Sequence, residues 1–255
     1  MTALSERSAL RRFLLLTALR WLPGGLLIPV AVLLPLARGL TLTQLGLAAS
    51  MQGLVVLFLE LPTGGLADTI GRRRVLLAAM VFGIASIGLL LVADTFLEFA
   101  ISFALAGVYR ALDSGPLEAW YVDAAHAANP AARIERGMGA QGTVLGLAIG
   151  AGALASSGLI AWNPVSTVDP MTLVVAACLS LMVVKLMVTS LIMAEHRSSS
   201  GIRAVLRSTR DTGRTIAEGV GLLRGSRVLL ALVCVELFWS FGMVPSWTAL
   251  GLLHQ

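Results

Sequence analysis

Charged residues are scarce in this 255-residue chain. Lysine is almost absent, and Lys185 is the single lysine in the sequence. Charged residues make up 13% of the chain, whereas soluble domains carry about 25%. Hydrophobic residues make up 57%, and the mean hydropathy is +0.86. This composition predicts an all-α, polytopic membrane protein embedded in a lipid bilayer. The net charge of +5 is therefore no sign of nucleic-acid binding, and its placement sets the topology instead.

The residue patterns of common catalytic sites are missing as well. The sequence has no H-E-x-x-H metal pair and no P-loop, and none of His126, His196 and His254 lies in the middle of an apolar run. We therefore expect neither an enzyme nor ATP-driven chemistry, and no cofactor. Both cysteines, Cys178 and Cys234, lie within apolar runs. They are interpreted as buried small apolar residues rather than a disulfide.

Long apolar runs predict seven membrane spans, since a span needs about 20 helical residues. The first six cover about 13–36, 43–67, 75–93, 96–122, 137–161 and 170–194, and a seventh begins near 228. Residues 1–12 are expected to be a polar tail and 123–136 a polar loop. Two interruptions are predicted, a bend at 21–25 around Pro23 and a helix break at Ser114-Gly115-Pro116.

This pattern divides the chain into a six-helix bundle at 1–194, a basic segment at 195–227 and a further helix at 228–255. The basic segment is either a helix lying in the membrane interface or a solvated linker. Arginines collect in the tail, in the loops after the second and fourth spans, and in 195–227, whereas Arg38 is the one arginine of the opposite loops. Because basic residues favour cytoplasmic loops, the N-terminus is predicted to be cytoplasmic.

A very short polar turn joins the second and third spans, and it reads Gly64-Gly65-Leu66-Ala67-Asp68-Thr69-Ile70-Gly71-Arg72-Arg73-Arg74. The turn resembles the signature loop of the major facilitator superfamily, G-x-L-A-D-R-x-G-R-K-x-x-L. Gly64, Asp68, Gly71 and Arg72 fall on that pattern, and Arg73 replaces its lysine. The resemblance implies that this loop has a conformational role. It also implies a fold of two six-helix halves, in which this chain holds the first half and the first helix of the second.

Two further stretches support the resemblance. Glu60-Leu61-Pro62-Thr63-Gly64 and the run from Ser114 to Asp123 resemble the E-x-P-T-G and S-G-x-x-E-A-W-x-x-D patterns of a drug-efflux branch of that superfamily. The resemblance implies a secondary transporter of the plasma membrane, namely a proton-coupled efflux permease for a small amphipathic compound. On this interpretation the second six-helix half of a full-length protein is missing here, so the chain is expected to be truncated.

Several ionisable residues lie inside the predicted spans, where charges are costly and usually face a cavity or a partner. The candidates for a proton-coupling or charge network are Glu60, Arg110, Asp113, Glu118 and Asp123. Arg110 and Asp113 are three residues apart and are expected to share a helix side, and Arg110 is also a possible partner of Glu60. The alternative is that these charges only neutralise one another and fix the helices. Arg20 and Glu236 are possible cavity-lining residues, although Arg20 is also close enough to the cytoplasmic end to snorkel there.

Gly142, Gly146 and Gly150 repeat every four residues in the fifth span, which predicts close helix packing along one face. Two other functions remain open at this stage. A truncated half-transporter that inserts but does not transport fits the early stop. A seven-span receptor fits the span count but not the predicted cytoplasmic N-terminus.

Overall fold

A computed structural model describes residues 5–64, 67, 70–193, 225–226, 228–231 and 234–235, and within 61–64 it describes only the backbone. The chain divides into two units, Met1–Val205 and Leu206–Gln255. The second unit is described only in short helical pieces. Glu236 and nearly all of the basic segment lie outside the described residues, as does Asp68.

All regular structure in the described part of the first unit is helical. The helices are α1 (Glu6–Leu27), α2 (Leu33–Ala37), α3 (Leu42–Gly64), α4 (Arg72–Val92), α5 (Phe96–Asp113), α6 (Pro116–Ala128), α7 (Ile134–Trp162) and α8 (Pro170–Ile192). The apolar segments Leu42–Glu60, Arg72–Val92, Ile134–Trp162 and Pro170–Ile192 are each long enough to cross a membrane. The fold is thus an all-α membrane bundle, as the composition predicts.

Side-chain caps explain where several helices begin. The Thr95 hydroxyl accepts from the Glu98 backbone N–H, and the Glu98 carboxylate accepts from the backbone N–H groups of Asp94 and Thr95. This capping box satisfies donors that have no partner inside α5. At the start of α8 the Asp169 carboxylate accepts from the Thr172 backbone N–H, and Pro170 follows at the first helical position, where its missing N–H costs nothing.

Two predicted polar segments are partly helical. The tail prediction for 1–12 is wrong from Glu6 onward, because Ser5 caps α1 there. The loop predicted for 123–136 is confirmed only at 129–133, because α6 continues to Ala128 and α7 begins at Ile134. Apolar runs mark the part of a helix that lies in hydrocarbon, whereas the helix itself continues into the polar region until its caps.

The predicted bend at 21–25 falls within a helix, and the predicted break in the fourth span is confirmed. Pro23 lies inside a continuous helix, and the first span is interrupted later, by a turn at residues 28–32 between α1 and α2. The fourth span breaks at the predicted site, since α5 ends at Asp113 and α6 begins at Pro116. Gly115 has a φ of 90°, a left-handed conformation that favours glycine.

The bundle is ordered by which helices pack together. The first helix, α1, packs against α6, α7 and α8, while α4 packs against α5, α6 and α8, and α3 packs mainly on α5. The described interior contains four apolar clusters, of which two are larger than the others. One contains Phe13 and Tyr121, whose rings stack at 4.4 Å between centroids, and the other contains Leu26 and Val174.

Small residues do bring two helices close together, but on another face than predicted. Gly142, Gly146 and Gly150 are exposed, and an added Cβ would meet no atom within 4 Å, so none of the described helices packs closely on that face. The buried small residues are Ala148, Gly152 and Ser156, which also repeat every four residues. Both sets of small residues repeat every four positions along the helix. Which set packs against α1 depends on how α7 is rotated in the folded bundle, and the sequence does not show this.

The burial prediction for the cysteines holds for one of the two. Both thiols are free, and Cys178 is buried whereas Cys234 is exposed. An apolar run in a membrane protein does not require burial within the protein, because lipid is an equally apolar environment.

Candidate functional site

Arg20 of α1 is the centre of a buried charge cluster. Its Nε donates to Asp113 Oδ2 at 2.6 Å and its Nη1 donates to Glu118 Oε1 at 2.8 Å. Its Nη2 donates to the main-chain oxygen of Asp113 at 2.8 Å. The Arg20 side chain is 13% exposed, so it binds these groups inside the bundle, and the alternative of snorkelling does not describe this structure.

The break in the fourth span explains why a cation is needed there. Asp113 is the last residue of α5, where the negative end of the helix dipole disfavours a carboxylate, and Glu118 lies in the first turn of α6, where the positive end favours one. Arg20 compensates the first carboxylate, caps a free carbonyl at the end of α5, and holds the second carboxylate. A single guanidinium thus joins both sides of the break, as its fork of five donors allows.

A second cation, Lys185 of α8, reaches the same acid from the other side. Its Nζ lies 3.7 Å from Asp113 Oδ1 and donates a hydrogen bond to the Tyr109 hydroxyl at 2.8 Å. Lys185 is only 2% exposed, and Asp113 is 4% exposed. Two cations and two carboxylates therefore make up a cluster without net charge, which limits the cost of burying it.

Glu118 extends the cluster to α7, because Gln141 Nε2 donates to its Oε1 at 2.6 Å. Asp113 Oδ1 and Glu118 Oε2 are buried without a hydrogen-bond partner among the described protein groups, and so is the indole nitrogen of Trp21. Buried polar groups usually have partners. These atoms can accept or donate further bonds, so the cluster has capacity for water, a proton or a polar ligand group.

The charge cluster lies between the two larger apolar clusters of the core. Along α1, Arg20 falls between Leu16 and Leu26, which belong to different clusters, and along α8, Lys185 falls between Met182 and Met193 in the same way. The charges therefore sit in the middle part of the bundle. Such a placement is typical of functional ionisable groups in membrane proteins.

Glu60 and Arg110 lie outside this cluster. Glu60 is exposed, and its Oε1 accepts a hydrogen bond from the Ser114 hydroxyl at 3.3 Å, next to the break. Arg110 is exposed while Asp113 is buried, so these two residues of α5 lie in different surroundings although they are only three positions apart. The last turn of α5 directs residue 113 inward toward α1 and α8, and residue 110 outward.

A second set of polar contacts joins the ends of α4, α6 and α8. Arg72 Nη1 lies 2.7 Å from Asp123 Oδ2, and Arg73 Nη2 donates to the Ser190 main-chain oxygen at 2.7 Å. Gly71 is the N-cap residue of α4 with a φ of 108°. The described part of the signature loop thus binds two other helices, which fits a conformational role. Its Gly64 ends α3.

Sequence reasoning singled out Arg20, Asp113 and Glu118, and the structure brings these three together. It missed Tyr109, Gln141 and Lys185 as site residues. Lys185 carried a signal, because a lone lysine in the middle of an apolar run requires a buried acid. The sequence gives no such signal for Tyr109 and Gln141, since a tyrosine or glutamine in a span has many ordinary packing roles.

Comparison with known proteins adds one match. The family model described as Major Facilitator Superfamily matches residues 13–254, which is nearly the whole chain. No curated protein matches the chain significantly.

Proposed function

The chain belongs to the Major Facilitator Superfamily, and from this premise we propose that it is a proton-coupled secondary transporter that exports a small amphipathic compound. The family is one of transporters rather than enzymes, and the apolar helices make this a membrane-spanning protein. Proton coupling, export and the substrate class are the proposed part. The proposal includes the plasma membrane as location, a cytoplasmic N-terminus and a proton gradient as the energy source.

The observation that supports proton coupling is the Arg20–Asp113–Glu118 cluster. Coupling requires a carboxylate that is held by a cation in one state and is protonated in another. Asp113 is a buried carboxylate held by Arg20 at 2.6 Å, and its Oδ1 lacks a hydrogen bond among the described groups. When a proton binds, the attraction of Asp113 for the guanidinium falls, and the join across the break at Gly115 weakens. Protonation would in this way change the geometry of the fourth span.

An amphipathic substrate fits the surroundings of the cluster. Glu118 is 28% exposed and offers a carboxylate, and Gln141 offers an amide. The Trp21 ring centroid lies 5.7 Å from the Arg20 guanidinium carbon, and its indole nitrogen has no hydrogen bond to another described group. Large apolar residues lie above and below along the helices. Ligand sites commonly combine an apolar lining with a few polar groups of this kind.

Transport by the full chain in proteoliposomes tests the proposal. An imposed pH gradient should drive uptake of at least one compound from a panel of fluorescent amphipathic dyes, and a proton ionophore should abolish it. Asp113→Asn, checked for folding by size-exclusion chromatography and thermal melting, should abolish the gradient-driven part. Arg110→Gln, an exposed charge on the same helix, is the control and should transport normally. Proton-driven uptake at the wild-type rate by folded Asp113→Asn protein would refute the role of this carboxylate.

A further inference from the structure

Lys185 is a buried charge that the proposed coupling by Arg20 and Asp113 does not use. It is 2% exposed, and its hydrogen bond within the described residues goes to a neutral group, the Tyr109 hydroxyl, at 2.8 Å. The nearest carboxylate oxygen, Asp113 Oδ1, is 3.7 Å away, which is too long for a hydrogen bond. Asp113 Oδ1 itself is buried and lacks a hydrogen bond among the described groups. The Lys185 ammonium and the Asp113 carboxylate thus face each other at ion-pair distance but without a hydrogen bond.

Closing this gap requires only a small movement. A charge-assisted bond between an ammonium and a carboxylate is about 2.7–2.9 Å long, so an approach of about 1 Å would form one. An ammonium has three donors, and Tyr109 uses one of them. The Tyr109 hydroxyl holds Lys185 in place beside the acid without neutralising it.

The rest of the cluster permits Asp113 to change partners. If Asp113 moved from Arg20 to Lys185, Arg20 would keep Glu118, which it already holds at 2.8 Å. In the present arrangement Lys185 still has Asp113 Oδ1 at an ion-pair distance of 3.7 Å, and after the exchange Arg20 would still have Glu118, so neither arrangement leaves a buried cation without a nearby acid. Two discrete and balanced arrangements of one cluster are what a two-state element needs.

The two arrangements would join different helices. The Arg20–Asp113 pair ties the end of α5 to α1, whereas a Lys185–Asp113 pair would tie it to α8. The end of α5 adjoins the break at Gly115, where the backbone can absorb a change in angle. We propose that Lys185 is the second counter-ion of Asp113, and that the exchange of Asp113 from Arg20 to Lys185 moves the α5–α6 junction away from α1 during the transport cycle. Lys185 is then a positioning residue, and this inference rests on the proposed transport function.

Distances between spin labels test the exchange. Labels at Arg11→Cys on α1 and His126→Cys on α6, both exposed positions, are attached to the full chain with Cys178 and Cys234 replaced by alanine. In lipid nanodiscs, pulsed electron resonance should give two distance populations, one for each partner of Asp113. Lys185→Met should lose the longer-distance population, because only Arg20 is left to hold Asp113.

Tyr109→Phe gives the opposite prediction and keeps the test valid if Lys185→Met does not fold. It removes the hydroxyl that holds the Lys185 ammonium at its present distance from Asp113. The ammonium can then approach the carboxylate, so the longer-distance population should grow. Thr189→Val is the matched control, because Thr189 lies one turn further along α8, is 1% exposed, and has no hydrogen bond from its hydroxyl to another described group. It should leave the distribution unchanged.

The outcomes separate this inference from the transport function. Failure of the wild-type protein to transport any dye, with both distance populations present and shifted in opposite directions by the two variants, would reject the transporter and keep the exchange. A single wild-type population, or a Tyr109→Phe distribution that is unchanged or shifted like that of Lys185→Met, would overturn the exchange whatever the transport result.

Discussion

Gly152 of α7 lies so close to Gly25 of α1 that a methyl group added at Gly152 would come within 2.9 Å of the Gly25 Cα and 2.5 Å of the Leu22 carbonyl oxygen. Backbone atoms cannot move aside as a flexible side chain can. This crossing fixes α1 against α7, and α1 carries Arg20 while α7 carries Gln141. The geometry of the charge cluster therefore depends on two residues without side chains.

Gly152→Ala should destabilise the protein by about 1–3 kcal/mol, the usual cost of overpacking. A fluorescence-detected thermal melt in detergent measures the change. Gly150→Ala is the control, because Gly150 is exposed and has no described atom within 4 Å of an added Cβ. Alanine is the better helix former by about 1 kcal/mol, so Gly150→Ala should be neutral or stabilising. Equal melting temperatures for the two variants would contradict the close crossing.

Arg20→Lys should weaken the protein although it keeps the charge. Lysine is a compact point charge that cannot hold Asp113 Oδ2, Glu118 Oε1 and the Asp113 carbonyl with the same planar fork. At least one buried acceptor loses its partner, which costs about 1–3 kcal/mol. Arg110→Lys exchanges an exposed arginine on α5 and should melt like the wild type. If the two variants melted alike, the three bonds of Arg20 would not contribute to stability.

The sequence predicted the break in the fourth span but not the partners that meet there. Ser114-Gly115-Pro116 is a local signal, since glycine and proline limit the backbone wherever they occur. The partner of Asp113 is not local, because Arg20 lies 93 residues away and Arg110 only three. Which of these arginines reaches the acid depends on the rotation of α5 against α1. A list of charged residues in the spans identified the right acids, and only the packing of the helices assigned their cations.

Arg38 shows the same limit in another region. In the sequence, Arg38 is the one arginine of the loops predicted to lie outside, and this position contributed only to the prediction of topology. In the structure its guanidinium donates to the main-chain oxygens of Leu90, Leu91 and Ala93 at the end of α4 and to the Thr172 hydroxyl at the start of α8. Arginine caps carbonyls that have no partner at a helix end. The residue thus joins three helices at their ends.

Arg38→Gln should therefore lower stability by about 1–3 kcal/mol, because partly buried carbonyls at the end of α4 lose a charged donor. Asp94→Asn removes the ion-pair partner of the same arginine, but that contact is 3.9 Å long and Asp94 is 81% exposed. Exposed ion pairs contribute little, so Asp94→Asn should melt close to the wild type. Chemical denaturation in mixed micelles compares the stabilities of the two variants. A larger loss of stability in Asp94→Asn would show that the ion pair of Arg38, and not its hydrogen bonds to carbonyls, stabilises the protein.

The predicted cytoplasmic N-terminus can be tested by labelling. Cysteines at Thr69 and Ser199 should resist an impermeant thiol reagent added to intact cells, because both positions lie among the arginines that are predicted to stay inside. A cysteine at Thr167, in the exposed loop before α8, should react. Each variant carries alanine at Cys178 and Cys234. Labelling of Thr69→Cys or Ser199→Cys from outside would reverse the topology.

Glu60 allows a direct comparison between a proton carrier and a fixed ion pair. A buried Glu60–Arg110 pair would cost about 3–5 kcal/mol to break, so Glu60→Gln would then express poorly. In the structure the Glu60 side chain is exposed and accepts a hydrogen bond from the Ser114 hydroxyl, and interactions of exposed charges contribute little to stability. An amide oxygen can accept that bond as well as a carboxylate can. Glu60→Gln should therefore fold normally and bind dye, and its melting temperature should stay close to that of the wild type.

If Glu60 carries protons beside the break in the fourth span, the same variant should lose transport driven by a pH gradient while it still exchanges dye across the membrane without one. Ser114→Ala keeps the carboxylate, removes only the hydroxyl, and should retain gradient-driven transport. Proton-driven transport at the wild-type rate by Glu60→Gln would assign coupling to Asp113 and Glu118 alone.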